Sequence, residues 1–207
     1  MTMLLIQTES IPLTVNLPAI APMTHAQFYE FCLANRDLRI ERTASGDVVI
    51  MPPAFSDTGN RNFNIAAQLG NWTEQDGTGI GFDSSTGFTL PNGVTRSPDD
   101  SRISLERWNV LTEEQKASFA PICPDFVIEL RSASVREASP KEITLTSSQD
   151  KMQEYMTNGA VLGWIDRKNR TVHLYRPDQE PEILDNPETV SGEPELPGFV
   201  LRMAKIW

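Results

Sequence analysis

Two acidic residues occupy strand-like segments thirty positions apart and have the chemistry of metal ligands. Asp99 lies in Ser97-Pro98-Asp99-Asp100, and Glu129 lies near the end of the apolar run 126–131. Mg²⁺ prefers oxygen ligands, commonly one or two carboxylates together with water and a substrate phosphate. If the two segments are neighbouring strands of one sheet, Asp99 and Glu129 can bind one Mg²⁺ or Mn²⁺ ion.

A cation bound there would suit phosphodiester hydrolysis, because a divalent metal neutralises the phosphate, lowers the pKa of a water and stabilises the leaving oxygen. Nuclease sites of this kind usually place a Lys two residues beyond the second acid. Here that position is Arg131. Alternation along the strand puts Glu129 and Arg131 on one face, but an arginine stays protonated and is a poor general base.

Lys151 is the better candidate for the missing cation. It lies in a predicted helix that follows the Glu129 strand, and Tyr155 comes four residues later on the same helical face. If that face packs over the sheet, the ammonium reaches the acids as a general base or as an electrostatic stabiliser. The alternative is that Lys151 is solvated and Tyr155 belongs to the core.

Each acid also has a purely structural interpretation. Glu129 can be a strand-end carboxylate paired with Arg131, and Asp99 can be a turn former after Pro98. A second Pro-Asp pair, Pro124-Asp125, precedes the same strand as Glu129. Asp125 shares a strand face with Glu129 but lies about 13 Å from it, too far for one metal. We therefore favour Asp99 as the ligand.

Composition narrows the class of protein. The chain has 207 residues and a net charge of −10, which argues against broad nonspecific binding to nucleic acid. A local basic groove near the acids stays open, formed by Arg96, Arg102, Arg107, Arg131 and Arg136. The two cysteines, Cys32 and Cys123, are predicted to be free thiols in a reducing compartment, and two distant histidines give little support to a His-rich metal site.

The sequence predicts a cytoplasmic location. The apolar start of the chain is short and lacks a basic flank, so we do not expect a signal peptide. No apolar run approaches the roughly 20 residues that span a bilayer. We expect a cytoplasmic protein without membrane contact.

The predicted elements describe an extended N-terminal arm over 1–23 and one domain over 24–207. That domain begins with a helix capped by Thr24, then a hairpin over 38–51, and a helix over 58–75 whose apolar stripe includes Phe63. Short strands at 79–82, 87–90 and 97–104 follow, with a helix start at Thr112. After strand 126–131 come a loop over 132–142, a helix over 143–157 ending at Asn158-Gly159, a hairpin from Val161 to Tyr175, and an acidic tail. This order predicts an α/β fold with a mixed β-sheet flanked by helices.

Several motifs in this order resemble the Uma-two family of restriction endonucleases, within the PD-(D/E)XK nuclease superfamily. They are Leu38–Thr43 with Val48–Pro53, Phe82–Phe88, Arg96–Asp99, Cys123–Ser132, Lys151–Tyr155, Gly163–Asp166 and Leu196–Phe199. The resemblance covers most of the chain and implies a restriction-endonuclease-like core. It also implies that Asp99 and Glu129 bind the metal, that Lys151 is the relocated catalytic lysine, and that Glu41 is an accessory acid. The chain departs from the family pattern at Ala133, where a Pro is expected.

The leading hypothesis is a Mg²⁺-dependent endonuclease that hydrolyses DNA through Asp99, Glu129 and Lys151. The alternative is a non-catalytic interaction protein on a degenerate nuclease scaffold, which the charge of −10 and Arg131 favour. We also expect a homodimer, because two-fold symmetry helps a nuclease to cut both strands. The apolar N-terminal arm and the segment Phe199–Trp207 are the surfaces predicted to cover a partner subunit.

Overall fold

A computed structural model describes the backbone of residues 13–15, 23–131, 148–166 and 169–207. Side chains are described for residues 23–130, 150–160 and 169–207. The predicted loop over 132–142, the first residues of the predicted helix over 143–157, and most of the N-terminal arm lie outside these ranges. The division of the chain at residue 23 stays a prediction.

Five α-helices and one short 3₁₀ helix are described. They are α1 (His25–Ala34), α2 (Ser56–Asp76), α3 (Leu105–Trp108), α4 (Glu113–Lys116), α5 (Ser148–Thr157) and the 3₁₀ turn Met203–Lys205. Thr24 caps α1 in a capping box with Gln27, and Thr112 does the same for α4 with Gln115. Gly77, at a φ of 67°, ends α2 in the left-handed conformation that glycine adopts without strain.

Thirteen strands are described. They are β1 (Leu13–Val15), β2 (Arg39–Arg42), β3 (Val48–Met51), β4 (Gly79–Asp83), β5 (Phe88–Thr89), β6 (Thr95–Arg96), β7 (Asp100–Ser104), β8 (Phe126–Arg131), β9 (Val161–Asp166), β10 (Thr171–Tyr175), β11 (Glu182–Asp185), β12 (Thr189–Ser191) and β13 (Val200–Arg202).

The strands form two larger sheets and one small ribbon. The main sheet has the order β11-β10-β9-β8-β7-β4, and the second sheet has the order β1-β3-β2-β6-β5. Strands β8 and β9 run parallel, joined by the crossover that contains α5, while β7 pairs with β8 antiparallel. The predicted mixed sheet flanked by helices is therefore confirmed.

The two faces of the main sheet are covered by different elements. Helix α2 packs Ile65 and Leu69 against Phe126, Ile128 and Leu130 on one face. Helix α5 packs Met152 and Tyr155 against Val127 and Ile103 on the other face, together with residues from β5. Because strand side chains alternate between faces, this arrangement decides toward which helix each polar side chain of β7 and β8 points.

Two predictions about apolar surface are wrong. Phe63 does not belong to the buried stripe of α2: it is 70% exposed, and the buried positions are Arg61, Ile65, Leu69 and Thr73. The C-terminal segment does not project toward a partner, because Phe199, Leu201, Met203 and Ile206 are buried in this chain's own core. The buried guanidinium of Arg61 donates to the carbonyl of Ile206 and ties the tail to α2.

Candidate functional site

Asp99 and Glu129 lie on the same face of the main sheet. Asp100 pairs in register with Ile128 across β7 and β8. One residue earlier, Asp99 Oδ2 accepts a hydrogen bond of 2.8 Å from the backbone N–H of Leu130. Because Ile128 and Leu130 pack toward α2, Glu129 points to the opposite face, toward α5.

Lys151 reaches this point from α5. Its ammonium lies 2.7 Å from Glu129 Oε1 and 3.0 Å from Glu41 Oε1. The hydroxyl of Tyr155, one helical turn on, donates to Glu129 Oε1 at 3.2 Å. The alternative of a solvated Lys151 does not hold, since its side chain is only 15% exposed. Tyr155 is buried in the core and also contacts Glu129.

Glu41 joins the second sheet to the site. It lies on β2, is buried, and accepts from Lys151, from Arg96 at 3.1 Å and from the N–H of Ser97 at 3.1 Å. Arg96 in turn pairs with Glu154 of α5 at 2.5 Å. A buried carboxylate that accepts from two charged donors ties the second sheet to α5.

Arg39 is a site residue that the sequence analysis did not single out. Its guanidinium donates to the carbonyl of Ser97 at 2.5 Å and lies 3.5 Å from Asp99 Oδ1. Its side chain is 29% exposed, so it borders solvent beside Asp99. A signal was present: Arg39 and Glu41 are two residues apart on a strand and therefore share a face.

Burial and the neighbouring charges shift the pKa values of the ionisable groups at this site. Burial raises the pKa of Glu129 to about 7; Lys151 opposes the shift, and the charges of Asp99 and Glu41 add to it. Burial would also raise the pKa of Glu41, but Lys151 and Arg96 hold it at about 2. Burial works to lower the pKa of Lys151, yet Glu129 and Glu41 raise it above the ordinary value. The ammonium is thus held as a cation between two carboxyl groups.

The donor set fits a hard divalent cation. Asp99 and Glu129 would supply carboxylate oxygens, and a backbone carbonyl beside Glu129 a further ligand, with water completing the shell. Within the described ranges no group of three or more His, Cys, Asp or Glu residues is arranged to hold a metal. A cation here would therefore depend on this two-carboxylate set, which suits Mg²⁺ or Mn²⁺ better than Zn²⁺.

The neighbouring acids are directed elsewhere. Asp100 points to the α2 face with Ile128, and burial, followed by the charges of Asp99, Asp83 and Glu129, raises its pKa to about 8. Asp125 lies at the other end of β8, where it accepts from the N–H of Ser104 at 2.6 Å and pairs with Arg107.

Three of the five arginines expected to form a basic groove are instead paired with carboxylates. Arg96 is buried between Glu41 and Glu154, Arg102 pairs with Asp76 at 2.6 Å, and Arg107 pairs with Asp125. These guanidinium groups are neutralised by neighbouring carboxylates. The side chains of Arg131 and Arg136 lie outside the described residues.

The structure also bears on the cysteines and on membrane-spanning helices. Cys32 and Cys123 are both free, as predicted. No helix among the described residues is long and apolar enough to cross a membrane.

Comparisons with known proteins agree with this architecture. The structure is similar to the crystal structure of a putative nuclease belonging to DUF820 from Anabaena variabilis, with a TM-score of 0.66 and 20% identity. The match covers 89% of this chain and 97% of that one. At this identity the likeness shows the fold. A search of curated proteins finds no match. The model of the Uma2 family, described as putative restriction endonuclease, matches residues 25–204.

That match spans most of the chain and includes Glu41, Asp99, Glu129 and Lys151, so the protein belongs to the Uma2 family of putative restriction endonucleases.

Proposed function

We propose that the protein is a metal-dependent endonuclease that hydrolyses DNA phosphodiester bonds, with Asp99 and Glu129 as ligands of Mg²⁺ or Mn²⁺. The observation that carries the proposal is the position of Lys151, whose ammonium lies 2.7 Å from Glu129 although it comes from the following helix. Two acids on one sheet face, with a lysine from the helix that packs over it, are side chains suited to such a reaction. Membership of a family described as putative restriction endonuclease supports the same activity.

The cation would supply positive charge at the phosphate and make a water more acidic. Lys151, flanked by two carboxylates, acts as a charged hydrogen-bond donor rather than as a base. Glu41 accepts from the same ammonium at 3.0 Å and would keep it directed at the site if Glu129 held a cation. Lys151 then stabilises charge on the scissile phosphate or orients the attacking water.

Two other residues complete the arrangement. The hydroxyl of Tyr155 donates to Glu129 and restricts its rotamer. Arg39 borders solvent beside Asp99, where its guanidinium can contact a phosphate oxygen of the incoming strand. The chain thus places two partly exposed cations, Lys151 and Arg39, next to the two proposed ligands.

DNA binding by this protein is expected to be local. With a net charge of −10, most of the surface repels phosphate, so affinity for DNA must come from a few cations at the site and fall with salt.

We further propose a homodimer, because a two-fold pair of sites can cut both strands of a duplex. Sedimentation of the purified chain would give its mass directly. The free cysteines are in keeping with a cytoplasmic location.

The experiment is a plasmid-nicking assay with Mg²⁺, Mn²⁺ or EDTA, using wild type, Glu129→Gln and Lys151→Met. We expect cleavage that requires the metal, and a loss of about 10³-fold or more in each variant. Lys116→Met and Glu113→Gln are matched controls, since that ion pair lies on α4 and Glu113 is exposed. Folding is checked by circular dichroism. Metal-independent cleavage, or cleavage that survives Glu129→Gln, would contradict the proposal.

A second candidate is a non-catalytic interaction protein on the same scaffold. It is favoured by one observation: Lys151 already pairs with both Glu41 and Glu129, as it would in a site that binds no metal. This candidate predicts that Mn²⁺ does not bind at Glu129. Titration of wild type and Glu129→Gln with Mn²⁺, followed by electron paramagnetic resonance, separates the two functions without a nucleic-acid substrate.

A further inference from the structure

A cleft of about 390 Å³ opens between α2 and β4, on the face of the main sheet opposite to Lys151. Strand β4 is the edge of that sheet, so one side of the cleft borders solvent. The cleft is independent of the proposed nuclease activity, since Asp99, Glu129 and Lys151 are not among its lining residues.

Two buried polar groups at this cleft have no hydrogen-bond partner among the described residues. They are Oδ2 of Asp100, a residue 2% exposed, and Oγ1 of Thr73, a residue 5% exposed. Buried polar atoms are almost always satisfied in folded proteins, and leaving them unpaired is costly. Both residues line the cleft, so a ligand there can satisfy both oxygens.

The charge around the cleft is negative. Asp83 and Glu74 also line it and are exposed, whereas Asp100 is buried. Arg102 lies on the same sheet face, but its guanidinium is engaged by Asp76 and Thr78. The carboxyl groups of the cleft therefore lack a counter-ion among the described side chains that line it.

The remaining walls are apolar or small. Ala66 and Leu69 of α2 contribute aliphatic surface, and Gly70 and Gly81 leave room beside Thr73. This space exceeds what a bare metal ion fills, and no described cluster of three acids could hold one. An ammonium group has three N–H donors for acceptors such as Asp100 and Thr73, and its alkyl chain would pack against the aliphatic wall.

We propose that this cleft is a binding site for a protonated primary amine on an aliphatic chain. The amine donates to Asp100 and Thr73, while Asp83 and Glu74 attract it electrostatically. The same chemistry is presented by a free alkylamine and by a lysine side chain of another protein, and the test distinguishes these sources.

The test is calorimetric titration of the full chain with butylammonium chloride at constant ionic strength. We expect saturable binding at one site. Thr73→Val, which keeps the shape but removes the acceptor, should weaken binding about tenfold. Gly81→Val should abolish it, because a Cβ at Gly81 would point toward Thr73 with 3.9 Å to its hydroxyl and no backbone clash.

Controls separate recognition from charge screening. Tetramethylammonium carries the same charge without N–H donors and should not bind. Gly59→Ala lies on α2 outside the cleft lining, with no atom within 4 Å of the added Cβ, and should bind like wild type. If Gly81→Val does not fold, Gly70→Leu fills the cleft from the helix, where the added Cβ also meets nothing within 4 Å.

The outcomes are decisive in both directions. The absence of saturable butylammonium binding, equal binding of tetramethylammonium, or unchanged affinity in a folded cleft-filling variant overturns the proposal. A capped lysine amide that binds at least as tightly as butylammonium assigns the cleft to a lysine side chain of a partner. A capped lysine amide that fails where butylammonium binds assigns it to a free amine.

Discussion

Two Pro-Asp pairs precede neighbouring strands of the main sheet, yet their aspartates have different surroundings. Asp99, after Pro98, accepts from the N–H of Leu130 and lies beside Arg39. Asp125, after Pro124, pairs with Arg107 and accepts from the N–H of Ser104. Because β7 and β8 run antiparallel, the starts of the two strands lie at opposite ends of the sheet. Glu129 is at the Asp99 end.

The difference teaches that the motif alone does not define the site. The Asp99 end is built from residues of both sheets and α5, with Glu41 buried there and the side chain of Lys151 only 15% exposed. The Asp125 end is a half-exposed ion pair whose side chains are 39% and 31% exposed. Desolvated charges interact more strongly than solvated ones, so changes at the two ends should have unequal effects.

The largest expected effect is on cleavage by the two aspartate variants. Asp99→Asn should reduce metal-dependent cleavage by about 10³-fold, because a proposed ligand is lost. Asp125→Asn should change it by less than about twofold, since Asp125 lies far from Glu129 along the strand. Initial rates of plasmid nicking measure both. Equal losses would mean that the two ends do not differ in function.

Next is the stability of the buried ion pairs. Glu41→Gln should lower the free energy of unfolding by about 3 kcal/mol, because Lys151 and Arg96 lose a buried partner. Urea denaturation at neutral pH measures it, and Glu113→Gln is the exposed control.

The same variant should change the dependence of stability on pH. Lys151 and Arg96 overcome burial and depress the pKa of Glu41 from 4.5 to about 2 in the folded chain. Its contribution is therefore present above pH 4.5 and lost as the pH falls through about 2. Wild type should lose stability more steeply than Glu41→Gln over this window. Parallel pH curves would show that Glu41 is not held ionised in this way.

A smaller effect is expected at Arg39. Arg39→Gln should slow cleavage about tenfold with little change in unfolding free energy, because the guanidinium is partly exposed and borders the proposed phosphate position. Arg107→Gln is the matched control at the Asp125 end and should leave cleavage unchanged. A slower rate that is fully restored by raising the metal concentration would instead assign Arg39 to the conformation of Asp99.

The smallest effect is the stability of the Asp125 end itself. Arg107→Gln should lower the free energy of unfolding by less than about 1 kcal/mol, as expected for a solvent-screened ion pair. Thermal unfolding by circular dichroism is sufficient to measure it. A loss as large as that of Glu41→Gln would remove the energetic contrast between the two ends.

Local patterns in the sequence predicted most of the elements. Thr24 marked the start of α1, alternating residues marked β2, β3 and β8, and Asn158-Gly159 marked the end of α5, where Gly159 has a φ of 95°. Phe63 was misplaced because an apolar residue one turn before Ala66 and Ala67 fits a helical stripe whether or not a partner covers it.

The C-terminal segment shows the opposite limit. Its apolar residues Phe199, Leu201 and Ile206 were recognised, but the surface that they bury against was not. That surface comes from α2, β8 and β10, whose contacts with the tail span a long stretch of sequence. Hydrophobic periodicity reports that a face is buried and does not identify what buries it.

The sequence by itself determined the family, the order of most elements, and the presence of Asp99, Glu129 and Lys151 in segments that can share a face. Only the tertiary structure decided that Lys151 is held by Glu41 as well as Glu129, that Arg39 lies beside Asp99, and that Asp100 faces a separate cleft. The physical reason is the separation along the sequence of the residues that interact. Helix and strand periods arise from neighbours a few residues apart, whereas the Lys151–Glu41 pair joins residues 110 positions apart through the packing of two sheets on one helix.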